Sequence, residues 1–389
     1  MKALKIQNVV ATLAAAAVVA GCSQSESANE GVDLSAQALA AAQASGYVAP
    51  NNGKDGGELH IYTWSDYIAP EVIAGFEKAL GVKVVVDTFD SNEAMYAKLK
   101  AGGTGYDIMM PTSYQISIMA KEKMIVELNH ERIPNLRDFD PLFANQIIDS
   151  TFKYNIPYSV TYAGFLYSKD KVPAGVDVNS WKVLECPAFK GRVTLLDDIR
   201  ETLGAALMSL GYSINSTDPA QIAQAAEQVL KWRGNVRKFD AESYKTEVPS
   251  GATYLGFGYS TDSIQVLVGD EQEGAAPRPD LGFALPKEGF SIAFDEMVLA
   301  SNAKRPDLAY AFMNYIYDPE VAKANMEFIC GPIPTAKGIA LLDEDYRKLI
   351  VLDAATIARG QILRGFDDRP DVLELYNKAW DKVKATEVR

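Results

Sequence analysis

Histidine is nearly missing from this chain: 389 residues contain two, His60 and His130. His60 stands between Leu59 and Ile61 in a strand-like run, and His130 beside Glu131 and Arg132 in a polar one. A packed strand end and a solvated surface are the expected places for them. Cysteine is as scarce, with Cys22, Cys186 and Cys330 alone, and no His/Cys set has zinc-ligand spacing. Cys186 and Cys330 carry no local disulfide pattern and are expected as two buried thiols. There is no Walker loop, no G-x-S-x-G elbow and no H-E-x-x-H. Gly102-Gly103-Thr104-Gly105 lacks the Lys-Ser/Thr that a phosphate loop needs, and reads as a helix stop and turn. No nucleophile–base pair, metal or cofactor is therefore expected, and no enzyme. Positive charge is also short: 38 Lys and Arg against 51 Asp and Glu give a formal charge of −13. Such a chain is poorly suited to nucleic acid and favours cations.

The N-terminus carries an address. Lys2 and Lys5 precede an apolar run over 9–20, which ends in Val19-Ala20-Gly21-Cys22. The run is shorter than the roughly 20 residues of a membrane span and has the layout of an export signal. Its last four residues resemble the lipobox of bacterial lipoproteins, with Cys22 lipidated and 1–21 removed. Ser23, in place of Asp, leaves the membrane leaflet open. No later apolar stretch is long enough to cross a bilayer, so the membrane is reached by the lipid anchor only. The expected location is the periplasm or cell surface. Residues 22–57, rich in Ser, Ala, Asn and Gln, are expected to be a flexible tether with at most a transient helix over 34–43.

The chain beyond residue 57 is longer than the roughly 250–300 residues at which one core stops growing, so two lobes are expected. Strands over 59–64, 82–88 and 107–110 alternate with helices over 69–80, 91–101 and 115–122. Pro70 opens the first helix, Gly81 closes it, and Ser91 caps the second. This βαβα rhythm argues for a parallel sheet with covered faces. A long strand over 156–168 offers a crossing between lobes. Strands over 193–196, 281–286 and 297–301 and helices over 200–210, 218–232, 306–316 and 319–328 complete the pattern.

Binding a diamine or triamine takes two kinds of group. Each ammonium needs oxygens to replace its water, and the methylene stem prefers apolar or aromatic walls. Acidic and aromatic residues cluster at five strand ends: Trp64-Ser65-Asp66-Tyr67, Pro111-Thr112-Ser113-Tyr114, Asp197-Asp198-Ile199-Arg200-Glu201, Tyr259-Ser260-Thr261-Asp262 and Phe294-Asp295-Glu296. Asp66, Asp198 and Asp262 also serve as ordinary helix caps or first-turn acids, and Trp64 or Phe294 as core. Five such clusters at strand-to-helix or crossing positions point to one site.

The stretch His60-Ile61-Tyr62-Thr63-Trp64-Ser65-Asp66-Tyr67 with Phe89-Asp90-Ser91-Asn92-Glu93 closely resembles bacterial spermidine/putrescine-binding proteins, the receptors of polyamine ABC transporters. The resemblance runs from about residue 58 to 384 and includes Ala379-Trp380-Asp381-Lys382-Val383. It implies a two-lobe periplasmic-binding-protein clamshell of type II, with lobes joined by crossing strands. Lobe 1 is expected over 58–157 and 291–332, and lobe 2 over 158–290 and 333–389. It also implies Trp64 and Tyr67 as stacking aromatics, with Ser65 and Asp66 adding oxygens. Thr112 and Tyr114 follow from a second loop, Asp198 and Glu201 hold an amine, and Tyr259 stands for the family's Trp, with Asp262 three residues on. Asp295 matches the central carboxylate. Ala293 and Gly331 replace family aromatics, and Phe294 is expected to compensate in part. The implied partners are a small polyamine-like cation and an inner-membrane ABC permease, with the protein a monomer. Rival readings are a membrane sensor on the same clamshell, a receptor for another organic cation such as an amino-acid-derived amine or guanidine, and a hydrolase or lyase.

Overall fold

Glu58–Thr63 (β1) pairs in parallel with Lys83–Thr88 (β2) and Ile108–Met109 (β3). The helices that return the chain start and stop where the sequence signals them. Pro70–Leu80 has its proline in the first turn and ends at Gly81 with φ 64°. Asn92–Lys100 is capped by Ser91 Oγ, which accepts the Ala94 N–H at 3.1 Å. These features belong to a computed structural model that describes residues 32–50, 55–269, 275–366 and 369–386. The proposed signal peptide 1–21 and Cys22 lie outside the described residues.

Asn155–Ser168 (β4) is the long crossing strand, and its near-continuous burial reflects cover on both faces. The remaining strands are Val193–Leu195 (β5), Val236–Phe239 (β6), Leu255–Tyr259 (β7), Leu281–Ala284 (β8), Phe290–Leu299 (β9) and Gly360–Ile362 (β10). The sheet order is β2-β1-β3-β9-β4-β7-β5-β6, with β10 on β9 and β8 on β4. β4 meets antiparallel β9 over its first half and β7 and β8 over its second. Two large cores result, as the α/β two-lobe expectation requires, with a smaller third cluster around Tyr62, Phe89, Met95 and Tyr106. Phe76, Tyr158, Phe294, Phe312 and Tyr315 lie in the first. Phe165, Trp181, Trp232, Phe257 and Trp380 lie in the second. Cys330 is buried as expected, whereas Cys186 is only half-buried.

The packing corrects three further expectations. The tether ending at residue 57 is not one throughout. Ser35–Ala44 is a helix, and Leu34, Ala38, Ala41 and Ala42 are buried in the first core. It sits against the helices Pro70–Leu80 and Pro306–Ile316. Asn314 Nδ2 donates to Ala41 O at 2.9 Å. Small side chains allow the approach: a Cβ on Gly75 would stand 3.0 Å from Leu34 Cβ and 2.8 Å from the Tyr315 hydroxyl.

The lobe boundaries also move. Tyr158, Val160 and Tyr162 pack in the first core and Ala163 in the second, so β4 changes lobe after Tyr162, not at 157. Ile333, Ile339, Leu342, Tyr346, Ile350 and Ile357 pack in the first core, so the segment after 332 stays with lobe 1 before Leu363 joins lobe 2. Finally, the strand expected over 297–301 is the end of the ten-residue β9, which makes it a full second crossing. Pro370–Ala385 forms a closing helix that seats Val372, Tyr376 and Trp380 in the second core.

Candidate functional site

Strand β9 decides which of its residues face the cleft. Side chains alternate along a strand, so Ala293 and Asp295 share one face while Phe294 and Glu296 share the other. Phe294 is buried in the first core, edge-on to Phe143 at 6.2 Å. It therefore does not wall the site, which corrects the expectation that it compensates for Ala293. Glu296 is buried beside it, accepting from Ser113 Oγ and Asn155 Nδ2. Burial pushes its carboxyl up to about 7.

Asp295 is held from lobe 1. Its Oδ1 accepts from Thr112 Oγ1 at 2.6 Å, and its Oδ2 accepts from the Tyr67 hydroxyl. Burial pushes the carboxyl up to about 6 although both hydrogen bonds favour the ionised form. Thr112 is itself fixed by buried Asn92. Asn92 Oδ1 accepts the Thr112 N–H at 3.0 Å, and its Nδ2 donates to Thr112 Oγ1 and the Tyr114 hydroxyl, each at 2.9 Å. Asn92 is thus a positioning residue that the sequence pattern alone does not single out. The Ser-Asn-Glu at that helix start is its one sequence signal.

Tyr67 is oriented in turn by Tyr158. The rings tilt together at 5.3 Å, and the Tyr158 hydroxyl donates to Tyr67 O while accepting from Asn325 Nδ2. Trp64 is half-buried, with its Nε1–H donated to Met110 O at 3.0 Å and its ring against Phe89. Ser65 and Asp66 are exposed in the turn after β1, where Asp66 adopts a left-handed φ of 53°.

Lobe 2 supplies the opposite wall. Asp198 caps the helix Ile199–Ser209, its Oδ1 accepting the Glu201 N–H at 2.9 Å. Glu201 is buried, and its Oε2 accepts from Ser291 Oγ at 2.6 Å. Burial, helped by the Asp198 charge, pushes Glu201 up to about 8. Tyr259 donates its backbone N–H to the Tyr244 hydroxyl at 3.1 Å, and that hydroxyl donates to Asp262 Oδ2 at 2.5 Å.

Fields link the two lobes. The Tyr114 hydroxyl is raised by burial and then by Glu93, Asp198 and Asp295. Tyr259 is raised by burial and then by Asp198 and Glu201. Thus Tyr67, Thr112 and Tyr114 of lobe 1, Asp295 of the crossing strand, and Asp198, Glu201 and Tyr259 of lobe 2 form one cluster. Asp262 adjoins it through Tyr244, whereas Ser65 and Asp66 are exposed in the turn after β1 and are not drawn into it by any contact seen among the described residues. Arg200 sits near the cluster, where its charge favours the ionised forms of Asp198 and Glu201; it donates to Arg364 O and Asn215 Oδ1, with its Cζ 4.1 Å from the Phe366 ring centre.

The two lost aromatics have different consequences. Ala293 is partly exposed on the Asp295 side. At Gly331, however, a Cβ would lie 2.7 Å from Thr261 Cγ2, so that space is already taken by Thr261. Among the described residues no group of three His, Cys, Asp or Glu could hold a metal ion. A shallow hollow lined by Gln37, Asp318, Glu320 and Lys337 lies elsewhere and has no aromatic wall. The chemistry of the cluster is recognition: negative oxygens close to tyrosine rings, shared between lobes.

Residues 71–350 match the family described as bacterial extracellular solute-binding protein. The chain is 33% identical over 334 residues to a putrescine/cadaverine-binding protein of Pseudomonas aeruginosa, covering 84% of this chain and 93% of that one. It is 31% identical over 355 residues to the spermidine/putrescine-binding periplasmic protein of Escherichia coli, covering 90% and 97%. Among solved structures, the spermidine/putrescine ABC transporter substrate-binding protein of Streptococcus pneumoniae superposes with a TM-score of 0.74 at 32% identity, over 84% of this chain and 99% of that one.

Proposed function

Because the chain belongs to the bacterial extracellular solute-binding proteins, we propose that it captures a polyamine between its lobes and delivers it to an inner-membrane ABC permease. In this reading it is a monomer tethered by a lipid on Cys22, and the ligand leaves unchanged. One observation carries the binding role: the Asp295 carboxylate is held between the hydroxyls of Tyr67 and Thr112 on the strand that joins the lobes, with no cation bonded to it among the described residues, and burial raises its carboxyl. Acids held so far from water cost the empty protein stability and gain from a cation. The names of the relatives agree with a polyamine as that cation. Contacts from both lobes would favour the closed form, and so couple capture to docking.

A thermal-shift panel of putrescine, cadaverine, spermidine, spermine, agmatine and basic amino acids tests the reading. A true ligand raises the midpoint by mass action. If no amine does so, the proposal fails.

Binding should also be linked to protons. Burial pushes the Asp295 carboxyl up to about 6 and the Glu201 carboxyl up to about 8. An ammonium placed against them stabilises the ionised forms and lowers both values. Binding between those two values is therefore expected to release protons, with affinity rising as pH increases across the interval. Calorimetry in two buffers of different ionisation heat measures the release. No release together with a flat affinity would mean that the ligand does not meet these carboxyls.

A further inference from the structure

At the exposed end of the cleft a cation is already present. Lys245 lies on the short helix Tyr244–Ser250 of lobe 2. Its Nζ stands 3.9 Å from Asp262 Oδ2 and pairs with Glu242. Its side chain is one-third exposed (33%), so the ammonium is only partly screened by water. The same Asp262 oxygen accepts from the Tyr244 hydroxyl, which also holds the backbone of Tyr259. Burial opposes the charge on Lys245, but Asp262, Glu242 and, from the facing lobe, Asp66 outweigh it. Lys245 thus supplies Asp262, from within the chain, with the positive charge that a ligand ammonium would bring. Further in, Asp295 is bonded to neutral hydroxyls and Glu201 to Ser291. Arg200 lies near Asp198 and Glu201, so Asp295 is the inner acid whose partners, Tyr67 and Thr112, are both neutral.

We propose that Lys245 is a specificity-determining residue whose tethered ammonium pairs with Asp262 at the exposed end of the cleft, so that the site takes a short diamine and disfavours a longer triamine. This rests on the polyamine reading of the same site. A triamine reaching Asp262 must displace Lys245 or place its own ammonium beside it. The first exchanges one ion pair for another without gain, and the second sets like charges together. A diamine spanning Asp295 and Asp198 does not reach Lys245, and the guanidinium near Asp198, that of Arg200, is bonded to Arg364 O and Asn215 Oδ1.

Calorimetry with putrescine, spermidine and γ-aminobutyrate on the whole soluble protein and its Lys245 variants tests this. The unaltered protein should bind putrescine more tightly than spermidine. Lys245→Met should raise the spermidine-to-putrescine affinity ratio by at least about tenfold, whereas Lys245→Arg should leave the ratio near its starting value. Adding Asp262→Asn to Lys245→Met should erase the gain, because the third ammonium then has no anion to meet. Thermal midpoints of all variants establish that they are folded. An unchanged ratio in Lys245→Met, or a gain that survives Asp262→Asn, overturns the assignment while leaving polyamine binding intact. Tight γ-aminobutyrate binding that Lys245→Met abolishes would overturn it too, since the lysine would then receive a ligand carboxylate. If no amine binds the unaltered protein, the polyamine reading falls first and this inference with it.

Discussion

Asp295→Ala is expected to weaken amine binding by about thirtyfold or more, since truncating one partner of a buried charge pair costs roughly 2–5 kcal/mol. The ammonium would be left in the cleft without its anion, facing only the hydroxyls of Tyr67 and Thr112, whose acceptor it has lost. Asp295→Asn isolates the charge, because it keeps the volume and one acceptor oxygen. It should lose most of the same affinity. The empty protein should behave differently. The folded-state carboxyl is raised to about 6, above its ordinary value, so its ionised form destabilises the fold at neutral pH. Removing the charge should leave the ligand-free thermal midpoint unchanged or higher while the ligand-induced rise shrinks. Calorimetry showing equal affinity for Asp295→Asn and the unaltered protein would mean that Asp295 is not the anion that meets the guest.

The first lobe was readable because its signals are local. β-branched runs, Pro70, Gly81 and the Ser91 cap each act within a few residues, and β1, β2 and their helices appear where those signals lie. Asp198 stands where its sequence position suggests, just after β5 as a helix cap, whereas Asp295, expected before a strand, lies in the middle of β9. The facing of β9 was not readable. Beginning that strand at 297 left Phe294 and Asp295 as neighbours in a loop, whereas starting it at Phe290 sets them on opposite faces. Ser-Ile-Ala-Phe-Asp-Glu carries charge where a buried strand usually has none, and tertiary cover supplied by Thr112, Ser113 and Asn155 makes that tolerable. Lys245 was invisible for a related reason. A lone lysine in a polar stretch is a surface residue by default, and only the packing of Tyr244 onto Asp262 brings it into the cleft. The lobe boundary at 332 failed because the chain stays in lobe 1 through helices that bury Tyr346 and Ile350 in the first core, and returns only at Gly360–Ile362, a strand too short to stand out in sequence.

The N-terminal helix gives the other large expected effect. A protein shortened to begin at residue 58 would lose Leu34, three buried alanines and Tyr47 from the first core. It would also lose Asp55, whose carboxylate accepts from Tyr47 and takes a bidentate pair of bonds from Arg305. Burying a single Leu contributes about 1.5–3 kcal/mol, so the whole segment is worth on the order of 3–6 kcal/mol. In a chain of this size that corresponds to a fall in thermal midpoint of roughly 4–9 °C. Deletion of residues 1–31 keeps every one of these contacts and is the proper reference. Alanine-rich helices look dispensable in sequence because no strong apolar stripe marks them. Here smallness is what lets the helix lie against Gly75 and Asn314 at backbone distance. Replacing Ala41 by Leu should therefore destabilise the fold through overpacking, by about 1–3 kcal/mol. Equal midpoints for the proteins beginning at residues 32 and 58 would show that the helix rests on lobe 1 without supporting it.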